Sequence, residues 1–219
     1  MVRLDFSGRD MTEYSETGMI GSGAITTKRL SKEDINALPL AYWQGPVHLI
    51  ATAEEAAAAA QRCSCEQLLG FDTETRPAFH KGQKFMPSLL QLATETEVFL
   101  VQVQASGMVG PLLDLLANPA ITKAGVAPSF DLHSLQELAP FTPGGFVDLS
   151  TMARQRGLKN HGLRGLAALV CGIRISKSAR TSNWANPVLS AQQIQYAATD
   201  AWISREIYLA LKGHPTSKT

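Results

Sequence analysis

Apolar and polar positions follow two rhythms along this chain, one of period two and one of helical period. Residues 1–29 follow neither: they are polar, rich in Gly, Ser and Thr, and predict a flexible N-terminal extension. Ser31-Lys32-Glu33-Asp34 reads as a helix start that Pro39 cuts short. Val47 to Ile50 is a short apolar run and predicts a strand. Thr52 and Glu55 form a capping box ahead of the Ala-rich helix TAEEAAAAAQRC. Leu68 to Thr73 predicts the next strand. Ser88 to Thr94 and Val98 to Val103 flank a turn-like Glu95-Thr96-Glu97 and predict neighbouring antiparallel strands. Gly110-Pro111 opens a helix that runs to Leu116, Ile121 to Val126 is a strand, and the chain is helical from Pro128.

Beyond Pro143-Gly144-Gly145 the pattern turns mainly helical. Leu163 to Val170 forms one apolar helix, and Ser190 with Gln193 caps a long one ending near Lys212-Gly213. Alternating strands and helices followed by helices alone predict an α/β fold. Its form is a mixed sheet flanked by helices, with a helical C-terminal third. One domain over residues 30–213 and a short tail over 214–219 complete the organisation.

Composition changes this picture little. Among 219 residues, 45% are hydrophobic and 18% charged, with a formal net charge of +1. That balance suits a globular protein with a full core and gives no bulk attraction for nucleic acid. Cys63 and Cys65 stand too close together for common metal-ligand spacing, and Cys171 is alone. They predict reduced structural thiols and a reducing, cytoplasmic setting. The N-terminus lacks a signal pattern, and no run approaches the roughly 18 apolar residues of a membrane span.

Candidate chemistry lies in three acidic patches. In LLGFDTETRP, Asp72 and Glu74 are two apart on a strand and so share a face. Two buried carboxylates about 4 Å apart repel by on the order of 4 kcal/mol, which a divalent cation would relieve. A solvated pair beyond the strand end is the plain alternative. In VAPSFDLHSL, Asp131 falls in a first helical turn, where the helix dipole alone would favour it. In IQYAATDAWISREIY, Tyr196 and Asp200 stack at i,i+4 on a largely apolar helix. Packing and partial exposure would account for that pair. Taken together, oxygen-only ligands fit two Mg²⁺ or Mn²⁺ ions, which clamp a phosphoryl displacement.

These motifs resemble the DEDD superfamily of 3′–5′ exonucleases, in the branch of ribonuclease D and the Werner-syndrome exonuclease domain. The resemblance covers about Val47 to Leu211: FDTET carries the first motif, VAPSFDLHSL the second and YAATD the third. KSARTSNW, with LSAQQIQYAATDA after it, is also similar to this branch. Tyr196, four before Asp200, matches the tyrosine subclass; Gln195 stands where the other subclass has His. The resemblance implies a ribonuclease-H-like fold and a 30–213 exonuclease domain. It implies two-metal hydrolysis from a free 3′ end of DNA or RNA to nucleoside 5′-monophosphates. Asp72, Glu74, Asp131 and Asp200 would hold the metals, and Tyr196 would orient or deprotonate the water. No helicase or helical nucleic-acid-binding domain is recognisable in this sequence, so a stand-alone bacterial type is expected.

A substrate strand also needs phosphate contacts and stacking surfaces. Arg76, His80, Lys81, Lys84 and Phe85 follow the first motif, and Lys177 and Arg180 precede the third. They are the candidate substrate contacts. Phe79 and Met86 are further apolar candidates; Trp184 and Trp202 are expected to be structural. The competing reading is a non-catalytic nucleic-acid-binding or adaptor domain on the same fold. Polymer type and oligomeric state are not legible.

Overall fold

The computed structural model describes residues 29–213 apart from residues 79 and 81. The extension expected over residues 1–29 (residue 29 excepted), the tail over 214–219, Phe79 and Lys81 therefore lie outside the described residues.

Helix α1 (Lys32–Ala37) precedes strand β1 (Val47–Ile50), helix α2 (Ala53–Cys63) and strand β2 (Leu68–Thr75). Strands β3 (Pro87–Ala93) and β4 (Val98–Gln102) follow, then helices α3 (Val103–Ser106) and α4 (Gly110–Ala117). Strand β5 (Thr122–Gly125), helix α5 (Ser129–Leu138) and strand β6 (Phe146–Asp148) complete the sheet region. Helices α6 (Leu149–Gln155), α7 (Leu163–Cys171) and α8 (Ala191–Gly213) form the C-terminal third.

Among the described residues the six strands make one sheet in the order β1-β4-β3-β2-β5-β6. Only β3 runs against its neighbours, pairing antiparallel with β2 and β4; the remaining pairs are parallel. The expected mixed sheet with flanking helices is therefore present. Its local signals hold as well. Thr52 and Glu55 cap α2 reciprocally, and Ser190 exchanges hydrogen bonds with Gln193 at the head of α8.

Two elements differ from the reading of the sequence. The apolar run expected to stay extended to Val103 bends into α3 after Gln102. Strand β6, in a region read as mainly helical, exists because Phe146, Val147 and Asp148 pair with Lys123, Ala124 and Gly125. Three residues carry no usable alternation; a distant partner makes them a strand.

The sheet divides the core. One face packs Leu69, Phe71, Leu90 and Leu92 against α2, α4 and α5. The other packs Leu89, Ala93 and Leu100 against Ala197, Ala198 and Ala201 of α8. Alternation along β2 thus sends Gly70, Asp72 and Glu74 towards α8.

Candidate active site

Each acidic patch reaches one end of β2 by a different route. Asp72 and Glu74 lie on β2 opposite Gln91 and Leu89 of β3, and the ladder shifts between Glu74 and Thr75. The Asp72 Oδ1 accepts the Thr73 backbone N–H at 2.9 Å. Asp200 arrives on α8, whose backbone lies directly on Gly70: a Cβ there would fall 1.9 Å from the Ala201 carbonyl oxygen. Only glycine permits this approach, and it sets Asp200 beside the acids of β2.

Asp131 arrives from β5, which runs parallel to β2. The connection to α5 turns at Ala127, whose φ of 51° is left-handed. Asp148 Oδ1 anchors that turn, accepting the Ala127 N–H at 2.9 Å and the Ser150 N–H at 2.8 Å. Helix α5 then starts at Ser129, with Asp131 in its first turn. The Thr73 hydroxyl lies near enough to Asp131 to lower its pKa, though it falls short of a full hydrogen bond.

The four carboxylates share one electrostatic field. Burial pushes Glu74 up to about 9, with Asp72, Asp200 and Asp131 adding to the rise. Burial raises Asp72 to about 7, against the Thr73 hydrogen bond, and Asp131 adds to the rise. Asp131 is raised by burial. Asp200 is raised by burial and by Asp72, while the nearby Tyr196 hydroxyl opposes the shift. The Tyr196 phenol is itself held up, first by burial, then by Asp200 and Glu74. Its ring packs 5.9 Å from that of Trp184, which is fully buried, so the KSARTSNW segment buttresses the phenol.

Among the described residues no three acidic, imidazole or thiol side chains enclose an ion as they are posed. Their chemistry nonetheless fits hard divalent cations: four carboxylates from three elements, desolvated and mutually repelling. Arg180 is the basic group that lowers Glu74, and it comes from outside the sheet.

The expected substrate contacts separate. Arg180 is exposed and its charge reaches Glu74. Arg76 is exposed, with its guanidinium 4.9 Å from the centre of the Phe85 ring, which is half-buried. Lys84 is tied to Glu137 of α5 at 2.5 Å, and His133 reaches the same carboxylate at 3.2 Å. His80 and Lys177 are exposed. Trp184 is buried in the core and half-buried Trp202 packs against it, as expected of structural residues. Two neighbours of the acids went unread in the sequence. Phe130, beside Asp131, is 71% exposed. Gln91 becomes visible only once the β2–β3 register is known.

Residues 47–214 match the family described as 3′–5′ exonuclease, and the chain belongs to that family. It is 30% identical to the human exonuclease mut-7 homolog, over 86% of this chain and 26% of that protein. It is 33% identical to ribonuclease D of Haemophilus influenzae, over 66% of this chain and 36% of that protein. The solved Nibbler EXO domain of Aedes aegypti superposes with a TM-score of 0.69 at 25% identity, covering 85% of this chain and 91% of that one. The chain spans between 26% and 40% of the length of several curated relatives it matches. The ribonuclease-D kinship and the ribonuclease-H-like fold read from the motifs are thereby borne out. No helix among the described residues is long and apolar enough to cross a membrane.

Proposed function

We propose that this chain is an active, metal-dependent 3′–5′ exonuclease of the tyrosine subclass. Its substrate is DNA or RNA with a free 3′ end, its products are nucleoside 5′-monophosphates, and its setting is the cytoplasm. The observation that carries the reading is the convergence of Asp72 and Glu74 of β2, Asp131 of the first turn of α5 and Asp200 of α8, whose backbone lies on Gly70, close enough to raise one another's pKa, with Tyr196 one turn before Asp200.

Asp72, Glu74, Asp131 and Asp200 would hold two Mg²⁺ or Mn²⁺ ions. Bound there, such ions supply an acidified water and stabilise charge on the attacking and leaving oxygens. The residues of the chain do the rest. Tyr196, kept protonated by its surroundings, holds Asp200 through its O–H and leaves its oxygen free to accept from the attacking water. The attacking water gives up a proton to solvent as its oxygen bonds to phosphorus, the bond from phosphorus to the preceding nucleotide's O3′ breaks, and that oxygen takes a proton from solvent and leaves as a hydroxyl. Arg180, whose charge reaches Glu74, would meet an arriving phosphate, and Phe130 offers an exposed ring for the terminal base. Arg76, Phe85, His80, Lys81, Lys84 and Lys177 are proposed as more distant contacts along the strand.

The test uses 5′-labelled single-stranded and 3′-recessed DNA and RNA with Mg²⁺ or Mn²⁺. A ladder shortening from the 3′ end and abolished by chelator supports the reading. Binding without cleavage on every substrate would favour the adaptor function instead.

A further inference from the structure

Gln91 is an anomaly of the core. It is fully buried, and among the described residues neither its Nε2 nor its Oε1 has a hydrogen-bond partner. A desolvated amide without a partner costs about 1–3 kcal/mol, so such a group needs a reason. Its neighbours narrow the choice. Along β3 they are Leu89 and Ala93, and across β4 it is Leu100. All three belong to the apolar layer formed with Ala197, Ala198 and Ala201 of α8. Across β2, directly opposite, stands Asp72. Directly opposed residues of an antiparallel pair share a face, with Cβ atoms about 4.5–5.5 Å apart. That distance is within reach of a glutamine carboxamide. Asp200 interacts with Asp72 from α8 above the same face. The Oδ1 of Asp72 already accepts the Thr73 N–H, whereas the amide beside it finds no acceptor among the described residues.

We propose that Gln91 is a positioning residue for the acidic site. When cations occupy the site and Asp72 is ionised, the Gln91 amide donates to the Asp72 carboxylate and fixes its orientation towards them. The inference rests on the two-cation reading of the site given above. Groups that hold a metal ligand from behind change metal affinity or activity by roughly 10–100-fold when removed.

The test measures Mn²⁺ uptake by titration calorimetry on metal-free protein without nucleic acid, for wild type, Gln91→Leu, Gln91→Met and Asp72→Ala. Gln91→Leu and Gln91→Met should bind Mn²⁺ roughly 10–100-fold more weakly than wild type. Their unfolding midpoints in chelator should equal or exceed that of wild type, because an apolar side chain of similar size replaces an unpartnered amide. Affinity within about twofold of wild type in either folded variant would overturn the proposal alone. Wild type that takes up no Mn²⁺, or uptake that survives Asp72→Ala, would overturn the underlying reading and this proposal with it. Should neither Gln91 variant fold, amide NMR of wild type decides. The Gln91 side-chain protons should shift on Mg²⁺ addition, and unmoved resonances would overturn the proposal.

Discussion

The carbonyl oxygen of Ala201 occupies the space where a side chain on Gly70 would begin, 1.9 Å from an ideal Cβ. This contact seats α8 on the sheet and sets Asp200 beside Asp72 and Glu74. Gly70→Ala must push helix and strand apart, since backbone atoms are what the methyl meets. The expected result is a loss of about 1–3 kcal/mol by urea unfolding, as for overpacked cores. Exonuclease activity should fall more than stability explains, because a displacement near 1 Å can cost about 10²-fold.

Tyr196 and Asp200 make a second pair that can be tested separately. Tyr196→Phe removes one oxygen and keeps the ring against Trp184. The far-UV spectrum and the unfolding midpoint should stay close to wild type. Turnover should drop on the order of 10²-fold, the lower range for a positioned proton-handling group. An unchanged rate would remove the hydroxyl from the mechanism.

The raised carboxylates predict how stability depends on pH. Folded Asp72 and Glu74 titrate near 7 and 9, above their ordinary 3.8 and 4.5. The folded protein therefore binds more protons than the unfolded chain between those limits. Their contribution is fully present below about pH 4 and is lost as pH rises through about 7 and then about 9. In chelator, the melting temperature should fall across that window. Added Mn²⁺ should raise it, and by more at pH 8 than at pH 6, because ionised carboxylates bind the ion. A metal effect independent of pH would contradict this.

Lys123 carries a prediction away from the site. It is fully buried on β5, donating to the Leu115 and Asn118 carbonyls at 3.0 and 2.7 Å, with Phe146 5.1 Å away. It thus closes the C-terminal end of α4. Lys123→Ala should cost about 2–5 kcal/mol through the cavity and the orphaned carbonyls. Burial lowers the Lys123 pKa from 10.5 to about 8. The unfolded chain then holds more protons in that interval, so wild type should gain stability relative to Lys123→Met as pH rises through it.

The residues that were legible in advance are those whose signal is local. Thr52 with Glu55 and Ser190 with Gln193 speak for their own helix starts within four residues. Asp72 with Glu74 and Tyr196 with Asp200 are set by the period of one element each. What stayed hidden depends on pairing across the chain. Phe146 to Asp148 is a strand only because Lys123 to Gly125 lies beside it. Lys123 reads as a surface charge until β5 is placed inside the sheet. Gln91 reads as an ordinary polar residue in LLQLA until register sets it against Asp72. Lys84 looked free for phosphate, but the fold brings Glu137 to it.

The most direct measurement compares Asp72→Asn, Glu74→Gln, Asp131→Asn and Asp200→Asn with wild type on one 5′-labelled strand in Mn²⁺. Each variant is first shown to be folded by its unfolding transition. All four should lose about 10³-fold or more in turnover, because the carboxylates act as one unit and such losses do not add. Any one of them cleaving from the 3′ end at the wild-type rate would contradict the assignment of these four acids to a single catalytic centre.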